Sequence, residues 1–307
     1  MRIRRTLTAL TVLIAAALTA AFCLHPALAA GWAEAVSRPV LHALSRLTNP
    51  LPFALLEWGL LALLLALFGG ACFRWGRRGL RSALIQLARR LGGCILAVAI
   101  AFSALWLPLY HTSIHPACAA TDAQLAAACE NLILELNESP LNFSRAPDDL
   151  PAKVIHFPFW MRAFDITGFF SFPTGEALIS PELPDCALPF VAVHERMHAD
   201  GYAGEGAANI AAWEDCLARG GLYADSARVW ALKYSMDALH DRDTGAYAAC
   251  RQLMNESTAA SYHAIGGGTR SRAINPGMQA AFSALGVGEA ASDYEILAFY
   301  LASQTAV

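Results

Sequence analysis

Three long apolar runs dominate the first third of the chain and constrain its fold more than any other feature. Residues 7–30, 51–73 and 91–110 are each long enough to cross a bilayer core as a helix. Within the second run the only charged side chain is Glu57, near its start. The whole chain is 56% hydrophobic and only 15% charged, but the excess sits in these runs and does not describe one oversized soluble core. A net charge of −3 points to neither nucleic acid nor an acidic tail.

The arginines orient the runs. Met1 to Arg5 reads M-R-I-R-R, and Arg74, Arg77, Arg78, Arg81, Arg89 and Arg90 crowd the connection between the second and third runs. By the positive-inside rule both segments are cytoplasmic. The expected anchor is therefore three-pass with its N-terminus inside, occupying residues 1–115, and everything after about His111 is extracytoplasmic. Trp106 and Tyr110 would mark the outer interface. A secretory signal peptide is the alternative for the first run, since Ala27-Leu28-Ala29 resembles a cleavage site. Between the first two runs, Arg38, His42 and Arg46 lie four apart, which places them on one face of a short amphipathic helix.

Residues 116–307 are a different kind of sequence, expected to be mainly helical with a few short strands. Helical spacing runs through 120–137, 188–199, 204–217, 229–240, 244–255, 277–285 and 292–304. Residues 153–159 suggest a strand, and the aromatic, glycine-bounded 168–179 a hairpin. Five of the eight cysteines lie here, without a Cys-x-x-Cys pair, so a cysteine-ligated zinc site is not expected. Outside the cytoplasm a disulfide is plausible, most simply Cys118 to Cys129.

Val191 to Gly201 contains His-Glu-x-x-His. On a helix, His194 and His198 share a face and can hold one zinc ion. Glu195 can reach a water on that ion and act as general base. A catalytic zinc needs a third protein ligand. A third histidine in the metzincin position is excluded, because Gly204 stands there. The gluzincin solution takes a glutamate from the following helix: Glu205 is favoured and Glu214 is the alternative. For substrate, residues 168–179 could provide an extended edge that pairs with a peptide backbone, with Thr174, Gly175 and Glu176 as candidate binding residues. Tyr202, Tyr262, His263 and Tyr294 are candidate donors to an oxyanion.

The blocks K-V-I-H-F, G-F-F-S-F-P-T-G-E-A and L-P-F-V-A-V-H-E-R-M-H-A-D-G-Y-A-G-E-G-A-A-N, behind three apolar spans, resemble an uncharacterised bacterial family. Its members are integral-membrane proteins carrying a domain of unknown function with a zinc-peptidase-like motif. The resemblance implies an outward-facing, membrane-anchored metallopeptidase. One position departs from it: the family pattern has Glu-Ala-Asn where this chain has Ala207-Ala208-Asn209. Glu205 lies two residues earlier, about 200° round a helix, and replaces that glutamate only if the helix start has shifted.

The expectation is therefore a helical membrane anchor with three transmembrane helices, followed by a mainly α, α+β zincin-like extracytoplasmic domain. Its cofactor would be Zn2+, its partners the lipid bilayer and a peptide or protein substrate. Its reaction would be peptide-bond hydrolysis at the outer face of the cytoplasmic membrane. The alternatives are an inactive zincin-like envelope sensor or scaffold, and a zinc hydrolase acting on lipid or cell wall.

Overall fold

The computed structural model describes residues 2–112, 119–143, 149–164, 166–266 and 295–305. Over these residues the chain is mostly helical, with one small sheet. It forms two compact units. One comprises Met1–Thr112 with the short segments Ile155–Phe157 and Ser171–Glu176. The other comprises Ser113–Val154, Pro158–Phe170 and Ala177–Val307.

The first unit is built on α1 (Arg2–Leu24), α2 (Pro26–Trp32), α3 (Arg38–Thr48), α4 (Leu55–Arg78) and α5 (Leu80–Ala101). Helices α4 and α5 (with its extension to His111) are long and apolar enough to cross a membrane. They leave Leu65, Phe68 and Ile95 at 66%, 59% and 69% exposure, faces that a water-soluble bundle would bury. The expected straight span over 7–30 is not found. The helix breaks at His25, and the two arms, 11–24 and 26–48, meet at 113°, so they count as a third span only if taken together. Pro26 explains the break, since it lacks an N–H and disfavours helical backbone at His25, whose φ is −131°. Helix α5 also begins earlier than expected, because the arginine-rich stretch after Gly79 is itself a good helix former.

Two carboxylates close this unit reciprocally. Glu57, in the first turn of α4, accepts hydrogen bonds from the backbone N–H of His156 and of Phe157. Glu176 in turn accepts from the N–H of Leu55 and Leu56, at 2.8 and 2.9 Å. Those are the orphan donors at the start of α4, so Glu176 caps that helix from a distant part of the sequence. A π-helical stretch, Phe102–Trp106, frees the carbonyl of Ala104, which accepts from Trp32 Nε1 and Ser37 Oγ.

The second unit is organised around α10 (Gly221–Arg242). It packs against α6 (Asp122–Glu138), α8 (Leu188–Ala199), α9 (Glu205–Arg219) and α11 (Thr244–Leu253). Helices α7 (Phe159–Phe164), α12 (Glu256–Ala264) and α13 (Glu295–Gln304) complete the set. Thr121 and Gln124 form a capping box at the start of α6. The sheet has the order β1-β3-β2, from β1 (Lys153–Val154), β3 (Glu176–Ile179) and β2 (Gly168–Ser171). Strands β1 and β3 are parallel, with Lys153 opposite Leu178 and Val154 opposite Ile179. Strand β2 is therefore an edge of the sheet.

The expected helix over 277–285, together with Tyr294 and Cys118, lies outside the described residues. The expected pairing of Cys118 with Cys129 therefore also lies outside the described residues. Cys129 is buried on α6 and its thiol meets that of Cys250 on α11.

Candidate metal centre

Helix α8 is the most buried helix of its length in this part of the chain, because its apolar residues Phe190 to Val193 pack into the core. Phe190 stacks on Trp230 of α10, with ring centroids 6.1 Å apart. Its N–H, an orphan donor of the first helical turn, is taken by Ser226 Oγ of α10, which itself donates to the carbonyl of Cys186. The helix is thus fixed at its entry by a neighbour and not by its own cap.

Its exit is fixed by a turn. Gly201 has φ +97°, a left-handed conformation that favours glycine, and its N–H returns to the carbonyl of His198. The reversal brings the carbonyl of Tyr202 to 2.6 Å from His198 Nδ1. Because a carbonyl only accepts, Nδ1 carries the proton and Nε2 keeps its lone pair. This is the arrangement of a metal-ligating histidine. Tyr202 serves through its backbone here, and its phenol ring is 38% exposed.

After Gly204 the chain turns into α9, whose first residue is Glu205. Its carboxylate reaches back to both imidazoles: Oε2 lies 3.1 Å from His194 Nε2, and Oε1 lies 3.6 Å from His198 Nε2. All the offered ligand atoms fall within 4.8 Å of one another. For a tetrahedral zinc ion with ligands at about 2.0–2.1 Å, neighbouring ligand atoms are about 3.3 Å apart. The donor set, its spacing and the tautomer of His198 all fit such an ion. Glu214 does not join the group; it is exposed and accepts a hydrogen bond from Tyr300 at 3.0 Å. Ala207, at the departing position, is buried on α9.

The electrostatics are those of a half-buried ion pair between Glu205 and His194. Burial opposes ionisation of Glu205, but its hydrogen bond to His194 and the charges of both histidines hold its pKa down at about 2. Burial also works against a charged His194, yet the bond to Glu205 overcomes it and raises the pKa. His198, whose Nε2 stands 3.6 Å from Glu205, is lowered by burial to about 4 despite the attraction of that carboxylate. Glu195, beside them and 5% exposed, is raised by burial to about 8. A divalent ion in the cluster would pull that carboxyl back toward its ionised form.

Two further residues belong to the site, and the sequence pattern does not name either. Asn209, fully buried one turn along α9, lies beside His194; neither its amide atoms nor His194 Nδ1 has a partner at full hydrogen-bonding geometry. A small rotation of that amide would let it hold the ring. Tyr234 projects from α10 into the field of both Glu205 and Glu195, and burial and those carboxylates keep its phenol protonated. Both depend on helix packing, with α9 and α10 laid against α8. Only Asn209 offers a sequence signal, being one helical turn from Glu205.

Strand β2 begins directly over Glu195. A Cβ built on Gly168 would lie 2.7 Å from Glu195 Cγ and 2.8 Å from Cδ, and would overlap Oε1. Only a glycine allows backbone and carboxylate this close together. Next to it, Phe169 packs edge-on against Trp160, with centroids 5.9 Å apart. The other sequence-derived candidates have different partners. Thr174 bonds to Ser171 Oγ, the carbonyl of Gly175 accepts from Ser45 Oγ, and Glu176 caps α4. Tyr262 is wholly buried in the core, and His263 lies 3.4 Å from Arg251.

A family model described as "Protein of unknown function (DUF3810)" matches residues 142–271, a stretch that includes α8, α9 and α10. No curated protein and no solved structure matches the chain.

Proposed function

We propose that this chain is a membrane-anchored zinc-dependent metallopeptidase, hydrolysing peptide bonds at the outer face of the cytoplasmic membrane. The observation that carries the reading is the convergence of His194, His198 and Glu205 from two helices onto one point, with Glu195 buried beside it. When bound there, zinc supplies Lewis acidity and a water of lowered pKa.

The chain's own residues do the rest. Glu195 takes a proton on its carboxylate and returns it to the leaving amine. The bond from His198 Nδ1 to Tyr202 keeps Nε2 unprotonated. Tyr234 retains its phenolic proton, which is available to a developing oxyanion. The outer strand of the sheet, β2, starts at Gly168 against Glu195, and it is the strand beside which an extended peptide would be added. The exposed edge of Phe169 and its partner Trp160 favour an apolar side chain there.

The test is metal content and proteolysis of the purified full-length chain. About one zinc per chain is expected, as for a single three-ligand catalytic site. His194→Ala should lose the metal, and Glu195→Gln should keep it while losing peptide cleavage. A folded protein that takes up no zinc would overturn the reading.

A further inference from the structure

The hairpin of α4 and α5 encloses a second feature, which no part of the metal site uses. Between the ends of these helices near Gly79 lies a cleft of about 790 Å³. Arg74, Arg78, Arg81, Arg89 and Arg90 line it, together with Gln86. No acidic residue occurs between Glu57 and Asp122, so the only acidic side chain on this hairpin is Glu57, in the first turn of α4 at the end away from the arginines.

The arginines are not all at one level. Arg74, Arg78 and Arg81 sit around the turn, whereas Arg90 reaches across to α4 at Ala66 and Gly70. Its Nη1 is 3.4 Å from the carbonyl of Ala66. The same guanidinium lies over Gly70, where a side chain would have to displace it. Gly70 precedes Arg74 by four residues, so this contact lies about 6 Å further along the apolar part of α4. Positive charge at helix ends alone would be expected from orientation in a membrane. A cleft in which one exposed guanidinium lies alongside the apolar part of α4 is more specific. Arg74 Nε is held by Ser82 Oγ at 3.1 Å, and the buried Oε1 of Gln86 has no partner.

We propose that this cleft binds the phosphate headgroup of an anionic phospholipid. Guanidinium groups match phosphate oxygens in a bidentate manner. Basic clefts between membrane helices suit such headgroups, and Arg90, exposed beside Ala66 and Gly70, lies at the level where a lipid phosphate would meet the acyl region. The Gln86 acceptor suits a headgroup hydroxyl.

The experiment uses the full-length chain in detergent, offered an equimolar mixture of phosphatidylglycerol and phosphatidylcholine, with bound lipid measured by native mass spectrometry. Phosphatidylglycerol should be enriched. Arg90→Gln should reduce the enrichment about fivefold, the effect of one basic residue at an anionic surface. Arg89→Gln is the second variant if Arg90→Gln does not fold. Arg77→Gln is the matched control: Arg77 stacks over Phe73 and does not line the cleft. An equal loss in Arg77→Gln, or no enrichment at all, would overturn the proposal. Complete displacement of the lipid by millimolar inorganic phosphate would also overturn it, reassigning the site to free phosphate.

Discussion

Replacing Gly168 by alanine tests the closest contact in the site, and does so without requiring any activity. The added methyl would sit 2.7 and 2.8 Å from Glu195 Cγ and Cδ, and closer still to Oε1. Carbon atoms at rest are about 3.5–4.0 Å apart, so the side chain must move by about 1 Å. Glu195 is buried and flanked by its own helix, which leaves it little room to give way. Overpacking of this kind costs about 1–3 kcal/mol. Alanine's smaller unfolded-state entropy returns about 0.4–1 kcal/mol of that. In a Glu195→Ala background the colliding atoms are gone, and Gly168→Ala should become neutral or slightly stabilising. Thermal unfolding of the two single variants and the double variant therefore yields a coupling of about 1–3 kcal/mol. The cycle reads the clash itself. If Gly168→Ala costs the same in both backgrounds, the close approach of β2 to Glu195 is not what the glycine serves. Under the peptidase reading, the same substitution should cut turnover about 10²-fold while zinc stays bound, because the base is displaced and the ligands are not.

Three other outcomes are expected. Glu205→Gln should abolish stoichiometric zinc binding and Glu214→Gln should not; the reverse result would reassign the third ligand. Zinc affinity should rise about tenfold per pH unit below the pKa of His194, then level off. Glu205 is ionised above about 2 and His198 is neutral above about 4, so His194 holds the one ligand proton a metal must displace near neutrality. The sign for the metal-free protein is opposite: the stability from the His194–Glu205 pair is full between about 4.5 and 6.5, is lost as pH rises through the raised pKa of His194, and is lost as pH falls toward the lowered pKa of Glu205. Titration calorimetry in buffers of different ionisation enthalpy, and melting curves across pH, measure the two effects. Finally, Glu176→Gln should destabilise the full-length chain by about 1–3 kcal/mol, since a buried carboxylate holding two helix-end N–H groups is lost. An unchanged melting temperature would show that the cap contributes nothing.

The features legible in the sequence are those that repeat locally. Apolar runs marked α4 and α5, and period and turn chemistry located α8 and the 168–179 hairpin within a residue or so. Pro26 is equally visible, but run length favours a straight span, and the chain bends at His25. Helix α10 starts at Gly221, ahead of the expected 229: Gly220 and Gly221 adopt positive φ at its entry and it proceeds through polar Asp225 and Ser226. Those polar residues are buried because they serve other helices, Ser226 at α8 and Asp225 accepting from Ser139. Long-range polar pairing leaves no periodic trace. Glu57 with residues 156–157, Glu176 with residues 55–56, and Cys129 with Cys250 are all separated by about a hundred residues or more.

The placement of Glu205 shows how local geometry can defeat a sequence register. Counted round a regular helix, Glu205 points away from the direction a residue at 207 would take. The count does not apply at the first residue of α9, where Gly204 before it is extended, with φ −78° and ψ 135°. From there the side chain lies over the end of α8 before the helical register begins. The position also has an electrostatic consequence. Unpaired N–H groups at a helix start favour a negative charge, and the two histidines add to that. A carboxylate so placed is ionised before any metal arrives, and His194 holds the compensating proton. Exchange of that proton for a divalent ion, with ionisation of Glu195, would keep the cluster close to charge balance. For this reason Glu205, although displaced from the family position, is electrostatically suited to complete the site that His194 and His198 begin.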